Sequence, residues 1–556
     1  MVSRREFCRT PVAAAAFFAA RLGSAQQRSA IQNSPTEWSY ETTKRYADPF
    51  GDVELDVVFT LPSEEQHRVP AFWARESTWR VRYAPPAAGR YIFRTICSDT
   101  SNPDLHGQTG ALTVSPYAGA NQLYKHGVLR VSEDRRHFAH ADGTPFFWLG
   151  DTWWMGLCRR LSWPDDFRAL TADRVRKGFT VVQIVAGLYP DMPAFDPRGE
   201  NEAGFPWEKD YTTIRPAYFD MADLRIAHLV ENGIAPCVVG CWGYFLPLMG
   251  LEKMKRHWRY LVARWGAYPA IWCLAGEATM PFYLSTSKQR DAEVQKHGWT
   301  EIARYVRSID PLRHPITLHP SQSARDSVDN ASVLDFDMLQ TGHSDRRSAR
   351  PTIEGLNRSL GSEPKLPALV GEVCYEGIQE ASREEVQRYM FWACLLSGAA
   401  GHTYGANGIW QVNTPERPYG LSPHGHSWGG PSWNVAANLP GSGQLGLGKG
   451  LLLRYSWQHL VPAIELLETH WTKDDYWQPF AALIPDEAII AFTPTGMKAL
   501  RFRNLPSFTK RAYLFNPSDG TEIALGKVVP DVSGVWRAPE FPIFRDWVMV
   551  LDGRAD

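Results

Sequence analysis

Ala270-Ile271-Trp272-Cys273-Leu274-Ala275-Gly276-Glu277 and Pro367-Ala368-Leu369-Val370-Gly371-Glu372 are two apolar runs that stop at the same dipeptide. A short run of Ile, Leu and Val without polar alternation reads as a strand covered on both faces, as in parallel sheets flanked by helices. A carboxylate where such a strand stops stands at the C-terminal rim, the face of a parallel barrel that carries its active site. Working outward from these two, eight strands are predicted: Phe146–Asp151, Thr180–Gly187, Ile234–Cys241, Ala270–Glu277, Pro315–Pro320, Phe336–Gly342, Pro367–Glu372 and Gly398–Ala406. Helical stretches separate several of them. Ser162 before Trp163-Pro164-Asp165 and Ser382 before Arg383-Glu384-Glu385 each place a Ser three residues ahead of an acid, a helix-start signature. Strands alternating with helices in this number predict an α/β fold, a (β/α)8 TIM barrel, over residues 124–468. The rival reading, a doubly wound open sheet, lacks the Gly-rich nucleotide turn after its first strand.

The flanks follow another rhythm. In residues 30–120, Val53–Phe59, Thr78–Tyr83 and Gly89–Thr95 are short strands broken by Pro, Gly and Asp, two of them with strict alternation, which predicts an N-terminal β-sandwich. After a Gly-rich stretch from His424 to Lys449, a helix around Trp457 to His470 is expected to close the barrel. In residues 472–556 short strands return at Ala488–Phe492, Arg511–Phe515 and Trp547–Leu551, with Asn516-Pro517-Ser518-Asp519-Gly520 as a turn, which predicts a C-terminal β-sandwich.

Residues 1–25 read as a twin-arginine signal peptide: Ser3-Arg4-Arg5-Glu6-Phe7-Cys8-Arg9, an apolar Val12 to Ala20, then Gly23-Ser24-Ala25. The alternative, an amphipathic helix or membrane anchor, is weakened by an apolar run far short of the roughly 20 residues that span a bilayer. The expected address is therefore the periplasm or the cell exterior. The whole chain of 556 residues carries a formal net charge of −1, which gives no electrostatic reason to seek nucleic acid or an anionic membrane. Beyond the leader, Cys97, Cys158, Cys237, Cys241, Cys273, Cys374 and Cys394 are odd in number and lack close pairs, so no disulfide framework is expected. His257, His297 and His314 have no ligand-like spacing with acids, so neither a metal site nor any other cofactor is expected.

Glu277 and Glu372 end strands four and seven on this count. Carboxyl groups across a barrel rim can stand about 5 Å apart, the arrangement of retaining glycoside hydrolysis. One must stay protonated to assist the leaving oxygen and the other ionised to attack the anomeric carbon. Glu277 is assigned as acid/base and Glu372 as nucleophile, with Glu376 as the rival nucleophile. The other strand ends supply Asp151, Trp153, Trp154, Trp242, His319, Gln340, His343, His402 and Tyr404, with Tyr375 just past strand seven, as candidate substrate-binding residues. Each could equally be a satisfied structural side chain, and Asp151 could simply cap the next helix. The 22 tryptophans suit a carbohydrate partner because indole faces stack on sugar rings, although most belong in the core. The rim insertions at Tyr189–Glu208 and Gly408–Trp433 are long enough to close a pocket on one side, which predicts exo action. The competing function is a non-catalytic carbohydrate- or matrix-binding protein on a barrel scaffold. Oligomeric state leaves no mark in the sequence.

Phe147-Trp148-Leu149-Gly150-Asp151-Thr152-Trp153-Trp154, Pro269–Glu277 and Gly371-Glu372-Val373-Cys374-Tyr375-Glu376-Gly377 together resemble the apiosidase-like family of exported bacterial glycoside hydrolases. Phe72–Tyr83 and Gly89–Val114 are similar to the small sandwich fused ahead of such barrels, and Tyr513–Pro517 with Asp546–Asp552 to the collagen-binding-type domain that follows them. The resemblance implies side chains of plant or microbial polysaccharides as substrate, and a catalytic pair that maps onto Glu277 and Glu372. The family's apiosidases carry aspartate at the first position, where this chain has glutamate. One extra methylene moves the carboxyl by about 1.5 Å, which bears on the sugar accepted.

Overall fold

The computed structural model of the protein describes residues 26–554. The signal-peptide reading of residues 1–25 lies outside them. At the centre is an eight-stranded, wholly parallel sheet, the α/β barrel expected from the strand rhythm. Its strands, in chain order, are Trp148–Trp153, Val181–Val185, Ala235–Val239, Ile271–Cys273, Ile316–Thr317, Asp337–Gln340, Ala368–Glu372 and Gly401–Tyr404. Strand one pairs with both two and eight, so the ladder runs unbroken from five through one to six. Strands five and six share no ladder. The seam is closed instead by Asp335 N donating to Ile316 O at 2.9 Å and the Thr317 hydroxyl to Phe336 O at 2.9 Å. Near-continuous burial along the strands explains their unalternated apolar composition.

A small antiparallel sheet of Leu129–Val131, Phe138–His140 and Pro145–Phe146 plugs the N-terminal end of the barrel. Its Phe138 ring packs on Trp148 and on Phe336, each at 5.0 Å between centroids. Strand one consequently begins two residues later than expected, because Pro145 and Phe146 belong to this plug.

The N-terminal region forms a five-stranded and a three-stranded sheet around their own apolar core. The outer strand Gln26–Ile31 pairs parallel to Thr109–Ser115, so the larger sheet is mixed. Two arginines fasten this region to the barrel: the buried Arg82 contacts Asp223 at 2.8 Å and the partly buried Arg259 contacts Asp56 at 2.6 Å. The C-terminal region has a six-stranded and a two-stranded sheet, with Arg388 on the helix after strand seven meeting Asp546 at 2.6 Å.

Three local expectations give way. The helix around Trp457 to His470 is replaced by short 3-10 turns and the strand Val461–Pro462, which joins the C-terminal sheet by pairing with Phe480–Ile484. A proline there has no N–H for a helix interior. The Gly-rich stretch contains instead the helix Pro440–Leu452. Glycine disfavours helix, but here close packing overrides propensity: a Cβ at Gly446 would stand 2.1 Å from Lys177 O, and one at Gly448 would stand 2.6 Å from the Phe391 ring. Neither Ser162 nor Ser382 is the residue at the helix cap; the helices begin at Asp165 and Glu384. Ser162 bonds Asp166 instead, at 2.7 Å.

Candidate active site

The ladder of strand four ends at Cys273, yet the chain stays in barrel register to Glu277 through single bridges. Leu274 N donates to Thr317 O at 2.8 Å and Gly276 N to Cys241 O at 2.9 Å. Glycine precedes both glutamates because a larger neighbour occupies the place of its side chain. A Cβ at Gly276 would lie 2.2 Å from the Trp242 ring, and one at Gly371 would lie 2.4 Å from Met338 Cγ. Glu277 itself turns at φ 39°, a left-handed conformation that a non-glycine residue holds only where its surroundings enforce it. In strand six the register slips between Leu339 and Gln340, a bulge that re-aims a side chain.

That side chain joins the two carboxylates. Gln340 Nε2 donates to Glu277 Oε1 and to Glu372 Oε1, each at 3.2 Å. The opposite amide orientation would set a carbonyl oxygen against two carboxylates, so the carboxylates fix it. Trp242 Nε1 donates to Glu277 Oε2 at 3.2 Å. Glu372 is more heavily attended. His343 Nε2 lies 2.8 Å from Oε1, the Tyr375 hydroxyl donates to Oε2, and His319 Nε2 stands 3.0 Å from Oε2 as a charge contact outside hydrogen-bond alignment.

These surroundings push the two acids apart. Burial raises the Glu277 carboxyl above its ordinary 4.5 and the neighbouring Glu372 charge raises it further, outweighing His319 and Gln340. Burial opposes ionisation of Glu372 too, but the His319 imidazole against it, together with His343, which also hydrogen-bonds it, holds it well below the usual carboxylate range. A carboxyl whose surroundings favour its proton, facing one whose surroundings favour its charge, matches the division of labour of general-acid and nucleophilic catalysis.

The pair lies in a cavity of about 320 Å³. Of the residues expected at the rim, Trp154, Trp242, Gln340, His343 and Tyr375 line it with the two glutamates. His319 is fully buried behind Glu372. The other four turn away, for reasons of strand parity. Side chains alternate across a strand, and Trp148, Gly150, Thr152 and Trp154 take the inward face of strand one. Asp151 and Trp153 therefore meet the helix layer. Asp151 bonds Arg174 at 2.6 Å and Trp153 Nε1 at 2.7 Å, with both ion-pair partners fully buried, so the sugar contact expected of it is replaced by an internal ion pair. Trp153 packs edge-on against Phe167. On strand eight, Gly401 and Thr403 face in, which sends His402 against Phe391 and Tyr404 toward Glu376. Burial lowers His402 to about 3, so it is a neutral core ring.

Glu376, the rival nucleophile, is also outside the cavity. It accepts from Tyr404 Oη at 2.5 Å and Gly441 N at 3.1 Å, and burial lifts it to about 7. The cavity wall further includes Asp191, Tyr283, Trp410, His424 and Trp428. These come from long rim segments whose composition carried no residue-level signal. Tyr419 Oη, donating to Pro190 O at 2.9 Å, ties two of those segments together. The seven described cysteines are buried and unpaired. Among the described residues no helix is long and apolar enough to cross a membrane.

Residues 132–459, more than half of the chain, match the model of an apiosidase-like catalytic domain, and residues 32–98 match DUF5060, a domain of unknown function. No curated protein is detectably similar in sequence. Among solved structures, one named glycoside hydrolase is 22% identical, covers 78% of this chain and 98% of its own, and superposes with a TM-score of 0.61. A glycoside hydrolase family 5 structure from Bacteroides vulgatus ATCC 8482 is 22% identical over 78% of this chain and 95% of its own, with a TM-score of 0.64. Another structure from that strain, 16% identical, covers 94% of this chain and 100% of its own with a TM-score of 0.66, so the shared fold extends to the flanking sheets.

Proposed function

Because the chain belongs to the apiosidase-like catalytic-domain family, a family of glycosidases, we propose that it is an exported, retaining, exo-acting glycoside hydrolase. On this reading it removes side-chain sugars from plant or microbial polysaccharides, with Glu277 as acid/base and Glu372 as nucleophile. The observation that carries it is Gln340 bridging two carboxylates whose surroundings drive their protonation in opposite directions. An amide nitrogen giving one proton to each oxygen at 3.2 Å, with about 120° between its N–H bonds, holds the oxygens about 5.5 Å apart. That distance suits a direct attack and leaves no room for an intervening water.

In the first step a Glu372 oxygen attacks the anomeric carbon as the bond to the leaving oxygen breaks, and Glu277 gives that oxygen its proton. A glycosyl ester on Glu372 results. In the second, Glu277, now ionised, takes a proton from water, whose oxygen attacks the same carbon and frees Glu372. The Tyr375 hydroxyl and His343 steady Glu372 before and after the ester forms. Exo action is supported by the size of the cavity, at the small end of ligand sites. Export is supported by the twin-arginine head at Arg4 and Arg5.

The test is hydrolysis of aryl glycosides and cell-wall oligosaccharides by the purified protein and by Glu372→Ala. Terminal sugar is expected to be released by the wild type alone, and azide is expected to restore part of the variant's rate on aryl glycosides. Binding without turnover across the panel would favour the non-catalytic reading, and early release of internal fragments would overturn exo action.

A further inference from the structure

Asp191 is a third carboxylate in the cavity wall that the proposed reaction does not use. It follows strand two at φ 54°, again the left-handed region, and only 9% of its surface is exposed. Trp428 Nε1 donates to its Oδ2 at 3.0 Å, its own backbone N–H donates to Tyr283 Oη at 3.2 Å, and the Tyr283 hydroxyl also reaches the carboxylate. Behind this group the frame is stiff, since Arg198 donates to Tyr419 O and Leu421 O at 2.9 Å each and holds the segment that carries Trp428. A carboxylate has about four acceptor positions, and Trp428 and Tyr283 take two. The side chain is thus oriented by its neighbours while keeping acceptor capacity toward the cavity.

Its position relative to the catalytic pair gives it a side. Tyr283, to whose hydroxyl the Asp191 N–H donates, lies on the rim segment that follows Glu277, while Glu372 is flanked by His319 and His343. In the proposed reaction Glu277 serves the leaving oxygen, so Asp191, Tyr283 and Trp428 border the space of the departing group. No Lys or Arg lines the cavity among the described residues; the cationic groups nearest Asp191 are the imidazoles of His424 and His426, so a further carboxylate beside it meets the Asp191 charge with no permanent cation between them.

Resting on that reading, we propose that Asp191 is the specificity residue of a leaving-group subsite, where its carboxylate accepts hydrogen bonds from adjacent hydroxyls of a neutral sugar resting on the Tyr283 and Trp428 wall. A uronic acid in the same place would set carboxylate against carboxylate and is rejected.

The experiment compares an aryl glycoside with a disaccharide of the same glycone and a neutral second sugar. Both are measured over the full pH profile of each enzyme and compared at each enzyme's own optimum, so that any shift of Glu277 on loss of the Asp191 charge is common to the two substrates. Asp191→Asn should lower kcat/KM on the disaccharide about ten- to hundredfold more than on the aryl glycoside, the difference expected for hydrogen bonds to a charged acceptor that the aryl group cannot make. Equal losses would make Asp191 a structural clamp of the wall, and no loss would remove it from recognition; either result overturns the inference. A second measurement needs no variant: wild type supplied with the aryl glycoside and competing acceptors should transfer the glycosyl group to neutral sugars and not to uronic acids, and indifference between them, or transfer to neither, would also overturn it. A wild type that hydrolyses neither glycoside would refute the glycosidase reading first, and this inference with it.

Discussion

Replacing Glu376 by Gln separates the nucleophile from its nearest rival and has a magnitude that the structure supplies. The Glu376 carboxyl lifts to about 7 from an ordinary 4.5 because burial outweighs the hydrogen bonds from Tyr404 and Gly441. A group raised in the folded state contributes its stability in full below the unfolded value and loses it as pH rises through the folded value. The displacement from 4.5 to about 7 corresponds to about 3 kcal/mol at 1.36 kcal/mol per unit. Wild type should therefore lose about that much against Glu376→Gln between pH 4.5 and 8, because glutamine keeps the pattern of the neutral acid and never ionises. Denaturant unfolding of both proteins at several pH values, followed by tryptophan fluorescence, reads the difference. Activity of the variant should stay within about threefold of wild type, since the Glu376 side chain is not part of the cavity lining and bonds Tyr404 and Gly441 instead. A stability difference that stays flat with pH would refute the burial argument. A loss of activity as deep as that of Glu372→Ala would return Glu376 to the reaction.

The profile of kcat/KM against pH should be a bell, falling on the acid side as Glu372 takes a proton and on the alkaline side as Glu277 loses one. The acid limb should lie below 4.5 and the alkaline limb above it; an acid limb above that value would contradict the histidine stabilisation of Glu372. Glu277→Gln should be slow on sugar leaving groups yet retain much of its rate on an activated aryl glycoside, and equal losses on the two substrates would take the acid role away from it. Asp151→Ala strands the fully buried Arg174 guanidinium and should cost about 3 kcal/mol of unfolding free energy with KM within about twofold of wild type. A raised KM with unchanged stability would restore Asp151 to substrate binding.

What could be read from the sequence follows from which physical signals are local. Apolar runs are local signals, and two of them end in Gly-Glu, so all eight strands and both glutamates are legible in the sequence. Parity at a strand end is less local. Asp151, Trp153 and Trp154 are near neighbours, and only the inward commitment of Trp148 and Gly150 decides that Trp154 faces the cavity while the other two face helices. His402 and Tyr404 fail in the same way beside Thr403. The helix Pro440–Leu452 was hidden because its glycines are required by neighbours from distant segments, Lys177 and Phe391, that no window of sequence contains. Asp191 and Trp428 lay inside insertions recognisable as lids, but their hydrogen bond spans more than 200 residues, so nothing marked either of them individually.

The central claim is that Glu372 attacks the sugar directly, and the configuration of the first-formed product tests it. Proton NMR recorded within the first minutes of hydrolysis of an aryl glycoside, before the anomers equilibrate, should show the anomer of the substrate. Two displacements at one carbon restore its configuration. The opposite anomer as first product would mean a single displacement by water, which needs carboxylates 6.5–9.5 Å apart. It would contradict the short span that Gln340 bridges and reduce Glu372 to a general base.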